Sequence, residues 1–278
     1  MTTVNDEFRF VSLLALELDN GDIALPSLPD VVLKIRSLLA DEKADFERIS
    51  RAVSMDPALV SRLLVFANSA FYNRANIKIE SLETAISRLG VEVVRNTAMS
   101  LAMKQLYASE KHSHAAKFLR AIWARGMKLS CMAFAVAQVR RQLNAETAYL
   151  CGLLHEIGKL YIVTKAEEFP ELLGKRESFD TILESWNPQI SKSIIESWNF
   201  PDEVAESTSP DDYLDRDPES AVAYVDIVHV AKVLLDSAGA VDMASDASFI
   251  KLGLDEKSVA DVMTKYRDKL KTMQESLA

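Results

Sequence analysis

The sequence predicts an all-α fold, on three observations. Gly and Pro number only 8 each in 278 residues, too few for a sheet protein built on tight turns. Ala, Leu, Glu and Lys, all strong helix formers, are abundant. Apolar residues recur every three or four positions from the first segment to the last, the period of a helix with one buried face. Hydrophobic residues at 49% and charged ones at 26% are ordinary globular proportions, and the length suffices for one large domain or two modest ones.

In order, Phe10, Leu13, Leu14, Glu17 and Leu18 share a helical face that Asn20-Gly21 ends. Pro26 and Pro29 precede Val31, Val32, Ile35, Leu38 and Leu39, so a helix is expected over about 29–40 with proline in its opening turn. Residues 45–54 form a short amphipathic piece, and Asp56-Pro57 is a start signal for a helix over 58–69. Two short helices joined by a tight turn invite a helix-turn-helix reading. The second carries Leu59, Val60, Leu63, Leu64, Val65 and Phe66 with Arg62 as its one base, whereas a recognition helix needs polar and basic groups aimed at base edges.

Ser81 sits where an N-cap belongs and Gly90 where a helix stops, and a longer helix starts near Val91 and continues through Val94, Ala98, Leu101, Ala102 and Leu106 to Tyr107. Residues 115–141 read as one long helix, and Asn144 starts another that runs into His155-Glu156. Asn187-Pro188 is expected to open a helix through Ile190, Ile194 and Ile195 to Trp198. Residues 206–219 are acidic and polar with two prolines, the composition of an exposed loop, and helices are expected over 220–235 and 256–277.

The net charge of −9 and pI near 5.1 oppose a broad nucleic-acid-binding surface. Cys131 and Cys151 sit in apolar helical sequence and read as buried thiols of a reducing compartment. The first residues lack a basic start and an apolar stretch, and no apolar run is long enough to span a bilayer. A cytoplasmic protein with neither membrane nor nucleic acid as partner is expected. The run from Tyr149 to Val163 is nearly all apolar except for His155-Glu156 and Gly158-Lys159. An imidazole beside a carboxylate is costly in such a segment without a partner, which marks this stretch as the candidate site.

Leu153-Leu154-His155-Glu156-Ile157-Gly158-Lys159-Leu160 resembles the centre of the HD superfamily of metal-dependent phosphohydrolases, with Glu156 in place of the usual Asp. Leu28-Pro29, Met55-Asp56-Pro57-Ala58-Leu59, Leu63-Leu64 with Ala67-Asn68-Ser69-Ala70-Phe71-Tyr72, and Ser81-Leu82-Glu83-Thr84-Ala85-Ile86 with Leu89-Gly90 are ordered and spaced as in the HDOD family, the output-domain branch found in bacterial signalling proteins. This resemblance covers about 25–232. It implies an amino-terminal helical lobe, about 1–110, and a degenerate HD-like helical bundle, about 111–278, together one HDOD unit.

Carried over by resemblance, the superfamily's metal ligands are depleted. The first His position holds Arg125, His155 is kept, Glu156 stands for the Asp, the next His position falls at Asn187, the paired His positions fall near Asp211-Asp212, and the late Asp is Lys232. With Lys159 these residues make up a vestigial pocket in which Arg125 or Lys232 is expected to pair with Glu156 where a metal would sit. No cofactor and no catalytic residue are expected. The alternative is a divalent metal (Mg, Mn, Fe or Zn) on His155, Glu156, Asp211 and Asp212; His112, His114 and His229 are looser candidates.

The function implied is a non-enzymatic signalling module acting through protein contacts, its input coming from a separate protein or a small molecule. A metal-dependent phosphohydrolase acting on a nucleotide or cyclic dinucleotide is the second reading, and a helix-turn-helix regulator the third.

Overall fold

The structure, a computed structural model, describes residues 3–21, 23, 33, 37, 46–108, 115–209, 219–237 and 243–277. Among them every regular element is a helix. Of the expected helix over 29–40 only Leu33 and Ser37 fall within this set, and His112, His114, Asp211 and Asp212 lie outside it.

Contacts divide the chain into two compact units: Met1–Leu25 with Tyr107–Ala260, and Pro26–Leu106 with Asp261–Ala278. A cut near 110 assigns each chain end to the half it begins or closes, whereas in the structure each end packs into the other unit. The reason lies in buried side chains. In α1 (Thr3–Asn20) Phe10 is fully buried, its ring 5.3 Å from Phe169 and 6.4 Å from Phe179, and Glu17 takes Lys165 Nζ at 2.6 Å. Near the other end Lys269 is buried, donates to the Tyr72 hydroxyl at 2.7 Å and lies 5.3 Å from the centre of that ring.

The second unit holds α2 (Phe46–Ser54), α3 (Pro57–Asn68), α4 (Leu82–Leu89) and α5 (Val91–Tyr107), which runs up to the first unit. Asp56 Oδ1 accepts from the Ala58 and Leu59 amides at 2.9 and 3.1 Å, and Pro57 opens the helix at a position where its missing N–H would have had no partner within the helix. Helix α3 buries Leu59, Leu63, Phe66 and Ala67, so its apolar face is committed to a core. Ser81 Oγ caps α4 through the Thr84 amide, and Gly90, at φ 81°, ends it in a conformation that favours glycine. The segment between α3 and α4 has no helix; the Asn68 amide side chain bonds both the N–H and the C=O of Ile79, and Asn73 does the same for Ile77. Two side-chain amides thus satisfy backbone groups that a sheet would otherwise pair.

The first unit is built on α6 (Ala116–Arg140), whose latter half is buried nearly all round by Leu129, Cys131, Met132, Ala133, Ala135 and Val136. Each large apolar side chain buried there contributes about 1.5–3 kcal/mol. Around it stand α7 (Ala145–Leu154), α8 (Ile157–Ala166), α9 (Pro170–Leu173), α10 (Arg176–Ser197), α11 (Asp202–Glu206), α12 (Tyr224–Asp236) and α13 (Ala247–Leu252). The last helix, α14 (Glu256–Leu277), begins here and continues into the other unit. Two glycines set the closest approaches: a Cβ on Gly152 would lie 2.7 Å from Ser130 Cα, and one on Gly158 would lie 2.6 Å from the Asn187 carbonyl oxygen.

The helix that Asn144 starts ends at Leu154, as expected, and another begins at Ile157 after the break at His155-Glu156. Two sequence expectations are corrected. Asn187-Pro188 does not open a helix, since Pro188 lies inside the 22-residue α10. Proline there removes one internal hydrogen bond, but Asn187 is held from the other side: its Nδ2 donates to the His155 carbonyl at 3.0 Å and its Oδ1 accepts from the Lys159 amide at 3.1 Å. Packing against α8 keeps α10 continuous. The segment expected as an exposed loop also begins differently, since Ser207 and Thr208 are buried.

Candidate functional site

The site is made where α7 gives way to α8. His155 is the C-cap of one helix and Glu156 the N-cap of the next, so the free carbonyl and amide at this break need partners. Ser191 and Asn187 of α10 supply them: Ser191 Oγ accepts from the Gly158 amide at 2.9 Å and donates toward the His155 carbonyl at 3.2 Å. Gly158 has no side chain because α10 backbone occupies that space. The glycine in Ile157-Gly158-Lys159 is therefore what brings the doublet against α10.

This break carries the two charge-bearing side chains inward. Glu156 is 3% exposed, and its Oε1 accepts from Arg125 Nε and Lys159 Nζ, both at 3.0 Å. Each cation reaches on to a surface carboxylate: Arg125 forks onto both Asp236 oxygens at 2.7 and 2.9 Å, and Lys159 meets Glu184 at 2.7 Å. Asp236 and Glu184 side chains are 53% and 69% exposed, so these outer pairs are screened by solvent while the Glu156 contacts are not. The Asp236 fork raises the Arg125 pKa and in turn holds Asp236 below the usual carboxylate range. Burial opposes the Lys159 charge, yet Glu156 and Glu184 together raise its pKa. Burial, with the Glu156 charge adding to it, also pushes up the Tyr107 phenol, whose hydroxyl faces the Glu156 carbonyl at 3.4 Å.

His155 is 4% exposed and its pKa lies well below 6.5, first because of burial and then because Lys232, Lys159 and Arg125 repel its proton. It is a neutral imidazole hydrogen-bonded to the Ser207 backbone, and its Nδ1 has no partner among the described residues. Glu156 Oε2 has none either. Lys232 is half-buried; desolvation lowers its pKa, with Glu156 and Glu184 opposing, and no carboxylate among the described residues lies within ion-pair distance. His155, Lys232, His229, Ser207, Ser209, Val225 and Val228 line a small open-sided recess.

Arg125, His155, Glu156, Lys159, Asn187 and Lys232 all fall within the first unit. Arg125, Lys159 and Glu156 are in direct contact, Asn187 braces the doublet from behind, and Lys232 lies on the His155 side. Asp211 and Asp212 are outside the described residues. His229 is engaged elsewhere, its Nε2 2.7 Å from Asp246. A divalent cation does not fit the described set. No three His, Cys, Asp or Glu side chains among the described residues are grouped to hold one, and a dication on Glu156 would meet Arg125 and Lys159 at the same carboxylate and Lys232 beside it, in surroundings that screen poorly.

Sequence reasoning missed Asp236, Glu184, Ser191 and Tyr107. Two carried a signal: Asp236 follows Lys232 by four residues and Glu184 precedes Asn187 by three, spacings that share one helix face.

The comparisons agree with this architecture. A family model for the HDOD domain matches residues 25–212. A Shewanella amazonensis structure whose name proposes a metal-dependent phosphohydrolase superposes with a TM-score of 0.81 at 23% identity, covering 96% of this chain and 99% of its own. An HDOD domain protein of unknown function from Geobacter sulfurreducens gives 0.67 at 21% identity, over 95% and 97%. A Marinobacter aquaeolei structure, named as a proposed signal transduction protein, gives 0.64 at 25% identity, over 94% and 60%. An uncharacterized Treponema pallidum protein is 24% identical over 224 residues, which span 76% of this chain and 42% of that longer protein. With the family model covering well over half of the sequence and the helical fold shared along nearly all of it, the chain belongs to the HDOD domain family.

Proposed function

We propose that the chain is a metal-free, non-enzymatic regulatory module of a bacterial, cytoplasmic signalling pathway that acts through contacts with another protein. One observation carries this reading: the acid of the His-Glu doublet shares Oε1 between Arg125 and Lys159 at 3.0 Å each. A carboxylate so neutralised has little charge left for a metal or for activating water. Family membership supports the signalling role, as does the name of the Marinobacter structure. No described helix is long and apolar enough to cross a membrane.

The second reading, a metal-dependent phosphohydrolase acting on a nucleotide or cyclic dinucleotide, draws on the name of the Shewanella structure and on one feature of the site. His155 Nδ1 and Glu156 Oε2 are buried acceptors without partners among the described residues. Elemental analysis separates the two readings: protein purified without chelator is incubated with Mn, Mg, Fe and Zn, desalted, and assayed for metal and for phosphodiesterase activity. The expected result is no retained metal and no turnover. Near-stoichiometric metal that disappears in His155→Ala would overturn the metal-free reading.

A further inference from the structure

Helix α1 is held on one side and bare on the other. Phe10 and Leu14 are buried, Phe10 against Phe179 of α10, and Glu17 takes Lys165 of α8. Those are the two helices whose contact braces the His155-Glu156 break, so α1 is fixed to the scaffold of the site. Directly opposite on the helix, Phe8, Ser12 and Leu16 follow one another at intervals of four along one line. Phe8 is 71% exposed and Leu16 59%, and Ser12 is exposed between them. Singly exposed apolar side chains are ordinary, but among the described residues no other helix presents two large ones.

This face is complementary to itself. Its order, large then small then large, is the same from either end, so a second copy laid antiparallel about Ser12 sets Phe8 on Leu16 at both ends, with the small serines where the helices cross. The charges choose the direction. Arg9 is exposed near the first end of the line and Asp19 near the last, and an antiparallel pair brings Arg9 of one copy toward Asp19 of the other. A parallel pair would set like charges together and align the two helix dipoles. Within its own chain Arg9 makes a surface contact with Asp6 at 3.5 Å and lies 5.9 Å from the centre of the Phe169 ring, a weak hold on the guanidinium. We propose that α1 is a self-association face, through which two copies of this chain form an antiparallel dimer with its two-fold axis at Ser12. One helix face falls short of the about 800 Å² per partner of a standard interface, so the dimer is weak and forms as concentration rises. It holds whether or not the His155-Glu156 site takes a metal.

The test is sedimentation equilibrium of the full chain over a wide range of concentration, with a reversible monomer-dimer equilibrium as the expected result. Leu16→Glu weakens association by about tenfold or more, because each dimer loses the contact twice, and it leaves thermal melting unchanged because Leu16 faces solvent in the monomer. Arg9→Asp and Asp19→Arg each weaken association, and the two combined restore it. Ser12→Cys cross-links to a covalent dimer on mild air oxidation far faster than Asn20→Cys, since only a residue on the axis meets its own copy. The native Cys131 and Cys151 are buried and do not compete. A chain that stays monomeric at every concentration, association untouched by Leu16→Glu in folded protein, or Ser12→Cys cross-linking no faster than Asn20→Cys overturns the proposal. So does a double charge swap that associates no better than either single one.

Discussion

Two carboxylates are buried in the same unit and are treated in opposite ways. Asp226, on α12, accepts at Oδ1 from Ser248 Oγ at 3.1 Å and Lys251 Nζ at 3.3 Å, and at Oδ2 from the Ala223 amide at 2.8 Å and Lys251 Nζ at 3.2 Å. Glu156 gives one oxygen to two cations and leaves the other without a partner among the described residues. The first arrangement is closed on both oxygens and joins α12 to α13. The second is charge-neutralised but geometrically incomplete, and beside it lie an unpartnered imidazole nitrogen and a recess. Buried polar groups in a purely structural role are normally satisfied; incompleteness is what distinguishes a site from a strut.

The largest expected effect tests the strut. Asp226→Ala strands Lys251, whose side chain is 2% exposed, and the loss in denaturant unfolding is expected at about 3–5 kcal/mol. A cost below that of Glu156→Gln would abolish the distinction. Next comes the packing beneath the site: Gly158→Ala puts a methyl 2.6 Å from the Asn187 carbonyl and is expected to cost about 1–3 kcal/mol. Little loss in the same unfolding measurement would mean that α8 is free to shift away from α10.

Glu156→Gln should cost less than Asp226→Ala, toward the low end of the about 1.5–3 kcal/mol expected for hydrogen bonds to a charged group, because Arg125 keeps Asp236 and Lys159 keeps Glu184. Chemical denaturation of the two variants side by side measures the gap.

The smallest effect concerns acid. His155 has its folded pKa below 6.5, so between that folded value and 6.5 only the unfolded chain takes the proton. Its contribution therefore weakens stability as pH falls through 6.5, by at most about 1.4 kcal/mol per pH unit. His155→Gln should flatten the stability profile by up to that slope just below pH 6.5; an unchanged slope would mean that the imidazole titrates normally in the folded chain.

Much of the fold was legible in the sequence because its punctuation is local. Asp56-Pro57, Ser81 and Gly90 act within one turn of themselves, and each marks a helix end in the structure. Pro188 misled for the same reason, since a local signal for a helix start was overruled by Asn187 reaching across to α8. At the site an ion pair of Arg125 or Lys232 with Glu156 was expected, and Arg125 makes it at 3.0 Å, with Lys159 as the second cation. The outer carboxylates were not legible: Asp236 is 111 positions from Arg125, and only the fold brings them to 2.7 Å. The exchange of the two chain ends was equally hidden, because Phe10 and Lys269 each sit on helices whose own periodicity says that they bury something and not what.

That exchange has a consequence for anyone dissecting the molecule. Each unit is assembled from two separate lengths of chain, so no single scission yields an intact half. A fragment that starts at 111 leaves Phe169 and Phe179 without Phe10 and carries an α14 whose Lys269 has lost Tyr72. Only a graft of 1–25 onto 107–260, dropping the rest, would keep the walls of the Glu156 site together with their own first helix.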